Sequence, residues 1–113
     1  MITIYHNPRC SKSRQSIEIL DKSGREFKVV KYLEDSPSEK KLFDIIHLLK
    51  IKPIDLVRQG ESLWKDNYKG KNLTDKDIIK AMALHPKLIE RPIVVNGDKA
   101  VIGRPPEKIY TII

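Results

Sequence analysis

The sequence predicts an α/β fold: a mixed four-stranded sheet split into a βαβ half and a ββα half, with a helical insertion between them. Three observations carry this expectation. A β-prone run, a helix-length segment and a second β-prone run follow one another within about the first thirty residues. The middle of the chain keeps helical spacing. The last third returns to strands on either side of Asn96-Gly97, the strongest short hairpin signal.

Ile2 to Tyr5 (ITIY) is the first strand, and His6-Asn7-Pro8 breaks it, because Pro8 disfavours helical geometry at Asn7. Ser11 to Ser23 reads as a helix with Ile17 and Leu20 on one face and Gly24 as its stop. Phe27 to Lys31 (FKVVK) is the second strand, parallel to the first through a right-handed crossover. Ser36-Pro37-Ser38-Glu39 is expected to start the next helix, with Ser36 as cap, Pro37 at its first position and Glu39 closing a capping box. Leu42, Ile45, Ile46 and Leu49 follow as its inner face. Pro53 opens a short segment closed by Gly60. Leu63, Trp64 and Tyr68 mark another amphipathic turn, and Thr74 and Asp77 bracket a helix start that ends near His85-Pro86. Strands at PIVV, which Pro92 begins, and at Lys99 to Ile102 precede a last short helix from Pro105-Pro106-Glu107. This order is that of the thioredoxin fold. The expectation is a single domain, 1–113, with the insertion at about 36–86.

Composition narrows the function classes. With 113 residues, 40% apolar and 33% charged, the chain is expected to fold around one core. No apolar run approaches the ~18 residues of a membrane span, so no membrane role is expected. The start lacks a basic stretch leading into a long apolar one, so no export signal is read, and a reducing cytoplasm is the expected compartment. The net charge of +7 points to anionic partners. Aromatics are only 6%, with no aromatic-plus-basic cluster for stacking bases, so nucleic acid is not expected and small anions are left. The chain has one cysteine and three scattered histidines without metal-ligand spacing, so no metal is expected.

The chemistry concentrates in HNPRCSKSR, residues 6 to 14. A lone free cysteine is ordinarily a small buried apolar residue. A strand-to-helix turn among polar and basic residues is poor core material, however, and C-x-x-[CS] beside a βαβ unit is a thioredoxin-like signature. Cys10 is expected at the cap of the first helix, facing N–H groups without intrahelical partners and the positive end of the helix dipole. A thiolate is stabilised there, and a tetrahedral oxyanion can be held by the same groups. Arg9, Lys12 and Arg14 add positive charge; Ser11 and Ser13 can donate hydroxyl hydrogen bonds to the sulfur or to an oxyanion. His6 has two readings, a base or charged neighbour for Cys10, or a loop histidine bonded to backbone. His47 and His85 read as structural or solvent-facing.

HNPRCSKSR, LVRQGE around Arg58, ERPIVV around Arg91 and IGRPPE around Arg104 together resemble the glutaredoxin-coupled arsenate reductase (ArsC) family over nearly the whole chain. The resemblance implies a thioredoxin-like fold with a helical insertion, and an oxidoreductase in which Cys10 attacks arsenate to form a covalent adduct. It implies glutathione as co-substrate and glutaredoxin as the partner that resolves the mixed disulfide; no bound cofactor and a monomer are expected. Arg58, Arg91 and Arg104 match the family's three site arginines. Ser13 and Arg14 match its loop residues, and His6 its histidine before the loop; Asn7 and Lys12 lie in the same loop as supporting residues. Arg91-Pro92 matches the place of the cis proline of thioredoxin-like folds. Three arginines around one thiolate suit a divalent oxyanion, because guanidinium is planar, always charged and donates in a fork. Glutathione supplies the second thiol, so Ser13 in place of a second cysteine fits a monothiol mechanism. Ser11-Lys12 departs from the small residues, commonly Gly-Thr, of the well-established reductases, and the sequence looks more like the family's short branch. Two alternatives stay open: a non-catalytic interaction protein like the related Spx-type regulators, and a general monothiol reductase with another substrate.

Overall fold

The computed structural model describes residues 1–113. The chain divides into two compact units, one of Met1–Asp35 with Arg91–Ile113, the other of Ser36–Glu90. The first holds the sheet. Its strands are β1 (Ile2–Tyr5), β2 (Phe27–Val30), β3 (Ile93–Asn96) and β4 (Lys99–Ile102), in the order β2-β1-β3-β4. β1 pairs with β2 in parallel and with β3 antiparallel, and β3 pairs with β4 antiparallel. This is the expected mixed sheet of thioredoxin-like type.

Helix α1 (Ser11–Ser23) crosses from β1 to β2 and ends at Gly24, whose φ of 73° is the left-handed conformation a side chain would resist. A 3₁₀ turn, Pro106–Thr111, stands where a short final helix was expected and packs against α1. Ile2, Ile4, Leu20, Val94 and Ile109 form the core between them, with Ile17, Phe27 and Val101 packed around it. Each such fully buried side chain stabilises the fold by ~1.5–3 kcal/mol relative to exposure. The buried face of α1 also carries Ser13 and Ser16, two polar residues where an apolar stripe is usual.

The second unit is helical: α2 (Glu39–Leu49), a 3₁₀ turn at Pro53–Leu56, α3 (Ser62–Asn67), α4 (Asp75–Leu84) and a 3₁₀ turn at Pro86–Leu88. Leu42, Ile45 and Ile46 of α2 and Ile78, Ile79 and Met82 of α4 are buried where these helices pack. The cap of α2 is Ser38, one turn-start later than expected: its hydroxyl accepts the Lys41 N–H, so Pro37 precedes the helix. The Ser36 hydroxyl instead donates to the Ala83 carbonyl. Thr74 and Asp77 form the capping box of α4. The unit runs past Pro86 to Glu90 because residues 86–90 are tied back: a bridge joins Val57 to Ile89, and the Arg58 and Glu90 N–H groups bond Leu88 and Leu56 carbonyls at 2.7 and 2.8 Å.

Candidate active site

Sheet topology brings distant segments to one end. β3 runs antiparallel to β1 with Ile93 opposite Tyr5, and β4 runs antiparallel to β3 with Ile102 opposite Ile93. The end of β1, the start of β3 and the end of β4 therefore coincide. They deliver the loop His6–Cys10, the pair Arg91-Pro92 and the pair Gly103-Arg104 to the same edge, at the carboxyl end of β1.

Asn7 organises the loop. Its N–H donates to Ser13 Oγ at 3.0 Å, its carbonyl accepts the Cys10 N–H at 3.0 Å, and its side-chain oxygen accepts the Arg9 N–H at 3.0 Å. Arg14 Nη1 donates to the Pro8 carbonyl at 2.8 Å. Cys10 is thereby held as the N-cap of α1, in extended backbone (φ −98°, ψ 122°), with its side chain making no capping bond to the helix. It is only 8% exposed. The Sγ accepts a contact from Arg104 Nη1 at 3.8 Å, and the same nitrogen donates to the Arg91 carbonyl at 3.1 Å. The sulfur thus faces a fixed guanidinium and the first turn of a helix, two sources of positive potential.

Ser13 is fully buried beneath the loop. Its oxygen lies 2.6 Å from His6 Nδ1 while accepting the Asn7 N–H. A buried hydroxyl needs an acceptor for its proton, so we assign that proton to the bond toward Nδ1, which leaves the ring proton on Nε2. Burial, then the charges of Lys31 and Arg14, hold the His6 imidazole below its ordinary pKa of 6.5. Ser13 Oγ thus lies under the loop between the Asn7 N–H and the His6 ring, and His6 meets it through Nδ1.

Lys12 is half-buried in the first turn of α1, where its carbonyl accepts the Ser16 hydroxyl at 2.9 Å. Arg91-Pro92 is a cis peptide, and so is Arg104-Pro105. Arg58 belongs to the second unit, where its guanidinium meets Glu61 at 3.3 Å and Glu90 at 3.8 Å. The first unit therefore brings together His6, Asn7, Cys10, Ser13, Arg14, Arg91 and Arg104, and Arg58 is built into the other. Gly103 was not anticipated. A Cβ there would stand 2.9 Å from both Pro92 Cγ and Ser16 Oγ, so only glycine lets β4 pass α1 and aim Arg104. The signal was present in IGRPP, but a glycine before Arg-Pro says nothing of which backbone it must approach. No three His, Cys, Asp or Glu side chains converge as a metal site, and no helix is long and apolar enough to cross a membrane.

The family model of ArsC matches residues 5–112. The chain is 40% identical to an arsenate reductase of Haemophilus influenzae, covering 99% of this chain and 98% of the other. It is 45% identical to the uncharacterised protein YfgD of Escherichia coli K-12, over 99% and 96% of the two chains. Among solved structures, an arsenate reductase from Vibrio cholerae superimposes with a TM-score of 0.95 at 44% identity, covering 99% of this chain and 97% of that one.

Proposed function

We propose that this chain, which belongs to the ArsC family, reduces arsenate to arsenite through Cys10, with glutathione as reductant and glutaredoxin clearing the mixed disulfide. The observation that supports this reading best is the position of Arg104 Nη1, 3.8 Å from the only thiol in the protein and anchored on the Arg91 carbonyl.

Cys10 sulfur attacks the arsenic of dihydrogen arsenate. An S–As bond forms, an As–O bond breaks, and the oxygen leaves as water with the thiol proton. The arsenic is still As(V). The N–H groups of the first turn of α1 and the Arg104 guanidinium are placed to stabilise the oxyanion charge of the adduct. The glutathione thiol then attacks the Cys10 sulfur. An S–S bond forms, the S–As bond breaks, and its electron pair stays on arsenic, which leaves as As(III) arsenite. Glutaredoxin exchanges the glutathionyl group onto its own thiol and returns Cys10 reduced. One cysteine suffices because the second thiol arrives with the co-substrate. The compartment this chemistry needs is a reducing one, in keeping with the expected cytoplasmic location.

The test is arsenate-dependent NADPH oxidation with glutathione, glutaredoxin and glutathione reductase, comparing the wild type with Cys10→Ser. We expect turnover in the wild type and its loss in the variant. Folded wild-type protein with a reactive thiol and no turnover would overturn the arsenate reading. Turnover that survives Cys10→Ser would overturn the role of the thiol.

A further inference from the structure

Beside the loop lies a cavity of about 250 Å³, lined by His6 through Arg9 on one wall and by Lys31, Leu33 and Glu34 on the other. The walls are fixed to each other. The His6 N–H donates to the Val30 carbonyl at 2.8 Å, and the Glu34 and Asp35 N–H groups close a turn onto the Lys31 carbonyl at 3.0 and 2.9 Å. Leu33, 45% exposed, gives the cavity an apolar patch. Arg9, Lys31 and Glu34 form no salt bridge within the protein, so two cations and one carboxylate stand available around one small opening. The opening adjoins the loop whose last residue is Cys10, and the Cys10 N–H is bonded to the Asn7 carbonyl of that wall.

We propose that this cavity is the binding subsite for the peptide thiol that reduces the Cys10 adduct, with Arg9 and Lys31 receiving its carboxylates and Glu34 its ammonium. Glutathione carries two carboxylates and one ammonium, the complement in kind and number of these three side chains. A tripeptide seated there lies against Leu33 with its ends toward solvent, and its central thiol faces the Cys10 loop. The arrangement separates two anionic reactants. The oxyanion is held at the helix terminus and Arg104, and the thiol enters over Asn7 and Pro8. The inference rests on the thiol chemistry proposed for Cys10, although binding can be read without turnover.

The experiment is a ¹⁵N-resolved NMR titration with S-methylglutathione, which keeps every charge of glutathione and cannot react with Cys10, run on the wild type, Lys31→Glu and Glu34→Lys. We expect saturable shifts in the wild type at millimolar concentration, centred on residues 7–9 and 31–34, with binding weakened roughly three- to tenfold in each charge-reversal variant. In the coupled assay, Lys31→Glu is expected to raise KM for glutathione by a similar factor and leave KM for arsenate in place. Absence of saturable shifts, shifts centred elsewhere, or equal binding in all three proteins overturns the subsite. If arsenate is turned over normally while KM for glutathione ignores Lys31→Glu, the proposed function stands and this inference falls. If S-methylglutathione binds as expected but arsenate is not reduced, the subsite stands and the substrate is another.

Discussion

Arg104 connects the thiol to the backbone that presents it. One nitrogen contacts both Cys10 Sγ and the Arg91 carbonyl, and the second contact fixes beside the thiol a planar, always-charged guanidinium suited to forked donation to an oxyanion. Lysine keeps the charge and loses the fork. Arg104→Lys is therefore expected to lower kcat/KM for arsenate on the order of 10²-fold, the usual loss for one oxyanion donor. Arg104 is exposed, so the same change is expected to alter stability by less than about 0.5 kcal/mol. Steady-state kinetics beside a thermal melt check this; unchanged turnover would remove Arg104 from the site. His6 makes a second prediction. Its imidazole titrates below 6.5 in the folded protein because of burial and the charges of Lys31 and Arg14. Below 6.5 the unfolded chain takes up a proton that the folded chain refuses, so this contribution to stability is fully present above 6.5 and is lost as the pH falls toward the lowered value. Urea midpoints measured from about pH 7 down to about pH 5 should fall more steeply in the wild type than in His6→Gln. Parallel slopes would mean that His6 carries no such linkage.

At the scale of elements, the β3–β4 hairpin and the second turn of α1 meet at Gly103. Its missing Cβ is what allows β4 to leave the sheet between Pro92 and Ser16, with its N–H bonded to the Pro92 carbonyl at 2.9 Å. Gly103→Ala is expected to destabilise the protein by about 1–3 kcal/mol as an overpacked contact. Because the displaced backbone leads directly into Arg104, arsenate turnover should fall further than stability alone explains. An unchanged melting temperature with normal kinetics would show that the contact relaxes freely. Gly103 also shows where sequence reading runs out. The elements themselves were legible: ITIY, Asn96-Gly97 and the 3.6-residue spacing of Leu42, Ile45, Ile46 and Leu49 are local signals, and the helices and strands stand where those signals lie. The position of Cys10 at a helix cap was legible for the same reason. What was not legible depends on three-dimensional company. Ser13 was expected to donate to the sulfur or to an oxyanion, and nothing local in the sequence says that its hydroxyl lies under Asn7 and His6. Ser36 and Ser38 offer the same cap chemistry two residues apart; Ser38 takes the cap, and the Ser36 hydroxyl bonds the Ala83 carbonyl, a partner 47 residues away that no local signal announces.

Across the whole molecule the excess charge is +7, and lysines are scattered along its length, so net charge alone would draw anions to no particular face. The loop breaks that evenness. Arg9, Lys12 and Arg14 follow one another between His6 and Ile17 with no carboxylate among them, and Arg104 arrives from the far end of the chain to contact Cys10. The first three flank Cys10 in sequence and the fourth touches its sulfur, and Cys10 is itself only 8% exposed, so an anion approaching it is expected to meet a positive field over its last few ångströms. That field is screened over ~10 Å at 0.1 M salt. Two alkylating agents of nearly equal size separate it from intrinsic nucleophilicity: iodoacetate is anionic and iodoacetamide neutral. The ratio of their rates with Cys10 is expected to favour iodoacetate at low ionic strength and to fall steadily as salt is added, while the iodoacetamide rate moves little. Arg9→Gln and Lys12→Gln should each flatten that dependence. Arsenate, a small anion using the same approach, should then show a kcat/KM that falls with salt at nearly constant kcat, because screening weakens capture and leaves the short contacts at Arg104 in place. A rate ratio indifferent to salt would mean that the loop cations are solvated like the rest of the surface, and that the oxyanion is selected only by the groups that touch it.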